Sequence, residues 1–201
     1  KPVLARVNAV KNTSGFASLM GQLALDGLFI GPFAGFVQQD DKHPENYIVA
    51  LGQSGLGLPD RDYYLKDDEA IAKTRTAYAE YLAKLLTLAG ESNAKARADA
   101  IVAFETRLAK VQWSRVDSRD SDKTYNKWSR ADFDTKAAGF DWQALFTAIG
   151  VQKQPDFIVA QPSAFTESAK IVKDTPVALL RDYAKVHVIS DLAPYLNKEF
   201  A

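Results

Sequence analysis

The side chains that could do chemistry begin with two histidines, His43 and His187, in a chain that has no cysteine. His43 opens the run His-Pro-Glu and His187 the run His-Val-Ile, so neither has the second histidine one turn away that an H-E-x-x-H zinc motif requires. The lack of cysteine excludes a thiolate zinc site and a cysteine nucleophile. A joint site would need both histidines and a carboxylate together. We expect instead an exposed His43 in a charged turn and a partly buried His187 on an apolar helix.

Serines, glycines and carboxylates give no stronger catalytic signal. No serine lies in a G-x-S-x-G elbow, and the single G-x-G pair, within residues 53–57, lacks the strand–turn–helix context of a nucleotide-binding loop. Asp60 with Asp62, or Asp67 with Asp68, could act as an acid–base pair. Asp67 and Asp68 are more typical of the negatively charged start of a helix. The sequence therefore predicts no catalytic residue, no metal ligand and no cofactor site in this chain.

One segment, residues 53–65, does not resemble ordinary loop sequence: it reads QSGLGLPDRDYYL. Its glycines and proline restrict the backbone, and Arg61 lies between two carboxylates, an arrangement suited to bidentate pairing that would lock the loop. We favour a structural corner over a ligand-contacting loop, in which Arg61 could bind a carboxylate if its two neighbouring acids faced elsewhere. The core of this signature loop comprises Gly57, Leu58, Pro59, Asp60, Arg61, Asp62, Tyr63 and Tyr64.

The composition describes a globular chain with a substantial core. It has 201 residues, of which 47% are hydrophobic, and 25 Lys and Arg balance 25 Asp and Glu. The neutral balance argues against nucleic-acid binding, since no basic stripe accompanies the aromatic residues. The most apolar window, residues 19–37, is interrupted by several glycines and Pro32, so we expect a helix followed by a buried strand and no membrane segment.

Helical periodicity dominates the remaining chain. A short helix carries Val3, Val7 and Val10, and a second starts at Ser14 as its N-cap and ends near Gly27. Two long helices follow, over residues 67–89 and then from an N-cap at Ser92. The second of these repeats apolar residues at helical spacing, namely Ile101, Phe104, Leu108 and Val111.

Shorter elements complete the predicted fold. Residues 33–41 and 47–53 predict a β-hairpin, residues 117–123 a solvated loop, and residues 157–159 a brief strand. A capping box formed by Ser129 and Asp132 predicts a short helix, and others are expected over residues 141–149 and from Pro162 and Pro176. The predicted fold class is mainly α: a multi-helix lobe with one small β-hairpin. A short additional strand is compatible with this prediction.

The signature loop closely resembles a motif in the N-terminal region of the neprilysin-like zinc metallopeptidases. The match covers the whole run of residues 51–65, extends upstream through the hairpin, and continues in the family's order to the last helix, more loosely after Trp113. Those later landmarks are residues 105–113, 125–127, 140–142, 162–165 and 179–189. Without cysteine, the chain is most similar to the bacterial oligopeptidase branch.

The resemblance implies that residues 1–201 are part of the N-terminal helical cap region of a larger peptidase. A subdivision is also expected, with helices, hairpin and signature loop in residues 1–66 and a helical bundle in residues 67–201. The family's H-E-x-x-H, E-x-x-x-D and Asn-Ala-Phe/Tyr motifs lie further toward the C-terminus than anything here. No catalytic residue or zinc ligand therefore carries over to this sequence.

The implied function is that of a region which restricts access to a peptide-hydrolysing zinc endopeptidase. The catalytic zinc-binding lobe of the same polypeptide would be its partner, peptides its substrates, and zinc the cofactor of the parent enzyme but not of this chain. The chain alone is expected to be inactive. Many relatives work in the cell envelope or outside the cell, which favours an extracytoplasmic location over a cytoplasmic one.

A non-enzymatic helical scaffold that binds proteins or peptides is the alternative. Composition and periodicity fit it equally well. The signature loop discriminates between the two, because a generic scaffold has no reason to reproduce residues 51–65.

Overall fold

Helices surround a small four-stranded sheet in the computed structural model, which describes residues 2–200. The mainly α class is confirmed, with the β-hairpin forming half of the sheet. The α-helices are α1 (Pro2–Asn8), α2 (Thr13–Leu25), α3 (Asp62–Leu65), α4 (Glu69–Leu88), α5 (Ala94–Val111), α6 (Ser121–Thr124), α7 (Asp132–Lys136), α8 (Trp142–Ala148), α9 (Pro162–Lys173) and α10 (Val177–Leu192). The strands are β1 (Phe33–Gln39), β2 (Tyr47–Gln53), β3 (Lys127–Ser129) and β4 (Asp156–Val159).

The sheet joins distant parts of the chain in the order β1-β2-β4-β3. β1 and β2 form the expected antiparallel hairpin, with Phe33 opposite Gln53, and β2 then pairs in parallel with β4. β3 pairs with β4 in an antiparallel direction and was not expected, because three residues carry too little alternation to identify a strand. The sheet thus takes strands from both sides of residue 66, and the subdivision there stays a prediction.

The apolar window of residues 19–37 forms the end of α2 and most of β1, as expected. The expectation that its strand is buried is only partly correct. β1 is an edge strand, so Phe33 is buried while Phe36 and Val37 are 63% and 65% exposed. Among residues 2–200, no helix has both the length and the apolar character needed to span a bilayer.

Several helix starts differ from the sequence-based expectation by one or two residues. Asn12, not Ser14, is the N-cap of α2, because its side chain accepts a hydrogen bond from the Gly15 N–H at 2.7 Å. α5 starts after Asn93, whose φ of 54° is left-handed, and not after a capping Ser92. Asn tolerates that conformation better than other non-glycine residues do.

The region between α5 and α8 is more ordered than a solvated loop. A 3₁₀ turn at Asp117–Arg119 precedes α6, and the Asp120 carboxylate caps α6 by accepting from two backbone N–H groups. The two hydrogen bonds of the capping box are formed: the Ser129 N–H donates to the Asp132 carboxylate at 2.7 Å, and the Asp132 N–H donates to the Ser129 hydroxyl at 3.3 Å. The helix itself, α7, begins later than expected, at Asp132, with Ala131 as its N-cap. Side-chain caps of this kind hold short elements that periodicity alone does not indicate.

The core is continuous between the N-terminal helices and the later part of the chain. Trp142 of α8 is 1% exposed and lies within ring contact of Phe33 on β1 and Phe165 on α9. Asp141 fixes the start of α8: its carboxylate accepts from the Ala144 N–H at 2.8 Å and from the Ser14 hydroxyl at 2.5 Å. One carboxylate therefore both caps α8 and attaches it to α2.

We expect Asp141→Ala to lower the free energy of unfolding by about 1–2 kcal/mol, since it removes an N-cap and an interhelical hydrogen bond together. Ser14→Ala removes only the second bond and should cost less. Denaturant titration of both variants measures the difference. Equal losses would show that the cap contributes nothing.

Candidate functional site

The signature loop lies between the end of β2 and the start of α4 and has an inner and an outer side. On the inner side, Leu58 and Tyr64 are buried against Ala109 of α5. The short helix α3 forms the last part of the loop. The loop is therefore held on one side by the helical core, while its other side borders open space.

The inner side is organised around one fully buried carboxylate, Glu105 of α5, whose side chain is 0% exposed. The Tyr64 hydroxyl donates to Glu105 Oε2 at 2.6 Å, and the Tyr78 hydroxyl of α4 donates to Oε1 at 3.0 Å. His187 Nε2 of α10 lies 2.7 Å from Oε1. Because a carboxylate only accepts, the geometry assigns the proton to Nε2. One side chain thus connects the loop to three helices.

Further hydrogen bonds connect the buried cluster around Glu105 to the backbone of the signature loop. The Leu58 N–H donates to the Tyr64 hydroxyl oxygen at 2.9 Å, so the group that binds Glu105 also holds the loop's main chain. The Tyr183 hydroxyl, on α10, donates to the Gly55 carbonyl at 2.8 Å. The side chains of Tyr64, Glu105 and Tyr183 therefore determine the course of residues 55–64.

The electrostatic consequence is that three phenols are kept neutral. Burial raises the pKa of Tyr64 and of Tyr78 far above the usual value for a phenol, and the adjacent Glu105 carboxylate raises each further. The pKa of Tyr183 is raised by the same two causes, burial first. These hydroxyls are hydrogen-bond donors and structural anchors, with no tendency to ionise near neutrality.

The two glycines of the loop are explained by this close packing. A Cβ atom on Gly57 would lie 1.8 Å from the Tyr78 hydroxyl. Gly55 has a φ of +92°, and a Cβ there would lie 2.8 Å from the Tyr183 hydroxyl. Only glycine allows the backbone to pass this close to the buried tyrosines.

The expected pairing of Arg61 with its neighbouring acids is not formed. Asp60 accepts from the Asp62 N–H at 2.8 Å and pairs with Arg115 at 3.4 Å. Asp62 pairs with Lys66 at 2.8 Å, one turn along α3. Both acids are engaged in building α3 and its neighbourhood, and among residues 2–200 the Arg61 guanidinium makes no hydrogen bond or ion pair.

The outer side of the loop forms one wall of an open cleft of about 350 Å³. The opposite wall comes from the end of α5, the chain that follows it, and the start of α9. The cleft is lined by Gln53, Ser54, Gly55, Leu56, Leu58, Pro59, Asp60, Arg61, Gln112, Trp113, Arg115, Ser118 and Gln161.

The histidines occupy the environments expected of them. The His43 side chain is 59% exposed in the β1–β2 turn, near Glu45, whereas that of His187 is 14% exposed. Within the part of the chain that the structure describes, no three His, Asp or Glu side chains are grouped as metal ligands would be. His187 and Glu105 form a closed pair with no open coordination position, so these residues do not fit a catalytic zinc.

Sequence reasoning missed Glu105, although a signal was present. Glu105 follows Ile101 by four residues and precedes Leu108 by three, so it lies on the apolar face of α5. A charged residue on that face requires buried hydrogen-bond donors as partners. The tyrosines of the signature loop have hydroxyl groups that can supply such donors.

Comparison with known proteins shows the family of the chain. The sequence model of peptidase family M13 matches residues 1–201. The chain belongs to this family. The resemblance to neprilysin-like metallopeptidases is thereby confirmed.

Two relatives illustrate how much of a family M13 protein this chain represents. Endothelin-converting enzyme 1 of Rattus norvegicus is 27% identical over 175 residues, which cover 84% of this chain and 23% of that protein. An endothelin-converting enzyme homolog of Locusta migratoria is 28% identical over 183 residues, 85% of this chain and 25% of that protein. The chain thus spans about a quarter of the length of the curated relatives that it matches.

Solved structures from bacteria share the fold. Zinc metalloprotease ZMP1 of Mycobacterium tuberculosis, in an open state, is 31% identical with a TM-score of 0.92, covering 99% of this chain and 31% of that one. PepO of Lactobacillus rhamnosis, 21% identical with a TM-score of 0.72 over 99% of this chain and 32% of that one, shares the fold alone. The bacterial branch indicated by the resemblance is therefore supported by structure.

Replacing the buried carboxylate tests the anchor. We expect Glu105→Gln to lower the free energy of unfolding by about 2–4 kcal/mol, because the amide places donors against the donors of Tyr64, Tyr78 and His187. Glu80→Gln, on the exposed face of α4, is the matched control and should change it by less than about 0.5 kcal/mol. Denaturant unfolding of the two variants compares them, and similar losses would contradict the role of Glu105.

The raised tyrosine pKa values predict an alkaline loss of stability. The unfolded chain has the ordinary tyrosine pKa of 10.0, so below that pH both the folded and the unfolded state keep the phenol protons. Above it, the unfolded chain loses protons that the folded chain retains, so unfolding becomes easier by up to about 1.4 kcal/mol per pH unit for each tyrosine. Tyr78→Phe should make the dependence of unfolding free energy on pH shallower by one such increment. Tyr195→Phe, at an 84% exposed position, should leave it unchanged; equal slopes in all three proteins would refute the assignment.

Proposed function

We propose that this chain is the substrate-restricting helical region of a zinc-dependent endopeptidase that hydrolyses peptides. The observation that carries the proposal is a family M13 match over residues 1–201, together with a fold that follows M. tuberculosis zinc metalloprotease ZMP1 over 99% of this chain. The same comparison covers only 31% of the ZMP1 chain. The remaining part of a protein of that length is large enough to form a separate catalytic lobe.

The partner in this proposal is the catalytic zinc-binding lobe of the same polypeptide. A zinc ion held there would polarise the scissile carbonyl and activate the attacking water. The residues described in this chain would contribute shape and charge to the chamber and would take no part in bond cleavage. An apolar surface that such a lobe could cover is present beside β1, where Leu25, Phe29, Phe36 and Val37 are exposed.

Enclosure is the proposed basis of substrate selection. A helical cap over a catalytic lobe admits flexible peptides and excludes folded proteins by size. The signature loop would serve this architecture as a structural corner: its inner side is attached through Glu105 to three helices, which gives the cap a fixed shape. We place the parent enzyme outside the cytoplasm, on the resemblance to envelope and secreted relatives. A non-enzymatic scaffold fits the composition and periodicity equally well, and the family M13 match over residues 1–201 is what favours the peptidase region.

A peptide-hydrolysis assay tests the division of labour. With added zinc, we expect the 201-residue chain to show no turnover of an internally quenched peptide, because its sequence lacks the H-E-x-x-H motif. The longer natural polypeptide should cleave the peptide and lose this activity to a chelator. Chelator-sensitive turnover by the pure chain would contradict the proposal, as would a longer polypeptide that contains no zinc-binding motif.

A further inference from the structure

We propose that the cleft on the outer side of the signature loop binds the C-terminal carboxylate of a short peptide, with Arg61 as its principal ligand. The proposal concerns binding by this chain and does not depend on catalysis. The sequence leaves open that the signature loop contacts a ligand, provided that the two acids next to Arg61 do not pair with it. The structure meets this condition, because Asp60 pairs with Arg115 and Asp62 pairs with Lys66.

Arg61 is a cation available to a ligand. Its Nε atom is buried without a hydrogen-bond partner, and its guanidinium lines both this cleft and an adjoining one of about 220 Å³. A guanidinium presents parallel N–H donors that match the two oxygens of a carboxylate. The terminal N–H groups of Arg61 make no hydrogen bond or ion pair within residues 2–200, so no protein acceptor competes with a ligand carboxylate for them.

A second unpartnered polar atom lines the same cleft. The hydroxyl oxygen of Ser118, in the 3₁₀ turn after α5, is buried and has no hydrogen-bond partner among residues 2–200. Buried polar atoms are nearly always hydrogen-bonded in native proteins. Two exceptions on the walls of one cleft indicate that the cleft accommodates a polar group from outside.

The walls of the cleft are held in place by glutamine side chains. Gln53 bridges to the backbone of Trp113, donating to its carbonyl at 3.0 Å and accepting from its N–H at 2.7 Å. Gln112 donates to the Ser54 carbonyl at 2.7 Å, and Gln161 accepts from the Gln53 N–H at 2.9 Å. These bonds join β2, the end of α5 and the start of α9, so the cleft exists before a ligand enters.

Charge and size specify the ligand. The charged side chains that line the two clefts are three cations, Arg61, Arg115 and Lys123, and two acids, Asp60 and Asp117, so the small net positive charge suits a monoanionic carboxylate better than a phosphate dianion. Leu56, Pro59 and Trp113 add apolar wall next to Arg61. A cleft of about 350 Å³ is at the small end of ligand pockets and suits the last one or two residues of a peptide.

NMR titration of the 201-residue chain tests the site, with the arginine Nε–H and tryptophan indole N–H signals as reporters. The probe is acetyl-Ala-Phe with a free C-terminal carboxylate, and its C-terminal amide is the matched ligand. We expect saturable shifts with the acid and binding at least about tenfold weaker with the amide. An acidic side chain as the source of the carboxylate is tested with acetyl-Ala-Glu-amide; tighter binding of this probe than of the acid would overturn the assignment.

Variants identify the residues. Arg61→Gln should weaken binding of the acid by about tenfold or more. Arg119→Gln removes the same charge from the nearby 3₁₀ turn but not from the cleft wall, and should bind as the unchanged chain does. If Arg61→Gln fails to fold, Ser118→Ala serves instead: loss of an unpartnered hydroxyl should leave the melting temperature unchanged and still weaken binding. Equal affinity for acid and amide, or variants of Arg61 and Ser118 that both bind normally, would overturn the proposal.

Discussion

The burial of the Glu105 carboxylate is the constraint on which the geometry of the signature loop depends. A fully buried charge is strongly unfavourable unless donors surround it, and here they come from Tyr64, Tyr78 and His187. The donors belong to the loop, α4 and α10, while the carboxylate belongs to α5. None of these elements can shift without leaving a buried polar group unpaired, so the polar cluster selects one arrangement of elements whose apolar faces could pack in several ways.

The same loop connects the anchored interior to the open cleft. On its inner side, Gly55 and Gly57 bring the backbone against the tyrosines, and the Tyr64 hydroxyl fixes the Leu58 N–H. That course of the backbone carries Arg61 to the outer side, where it borders the cleft. A structural role and a ligand-binding role are therefore compatible within one short segment, because they use opposite sides of it. The family M13 match places this arrangement in a protein class whose larger members are peptidases.

The sequence predicted the features that depend on local periodicity and on caps. The helical hairpin of α4 and α5, the β1–β2 hairpin and the Ser129–Asp132 capping box follow from patterns within a few residues. The sequence did not predict β3, which exists only because β4 offers an edge to pair with. Nor did it predict the partners of Asp60 and Glu105, because Arg115 and His187 are brought near them by tertiary packing over 55 and 82 residues. The sequence predicts that Arg61 pairs with the acids next to it along the chain, whereas in the structure those acids accept from the Asp62 N–H and pair with Lys66 around α3.

Amide hydrogen exchange at Leu58 tests the central claim most directly. Its N–H lies in a loop, outside any helix or strand, and its only described acceptor is the Tyr64 hydroxyl that Glu105 holds. If the buried carboxylate anchors the loop, this amide exchanges as slowly as those of the core helices, and Tyr64→Phe abolishes its protection while α5 remains protected. If the Leu58 amide in the unchanged chain exchanges as fast as the exposed β1–β2 turn, the loop is not anchored through Glu105 and the account is wrong.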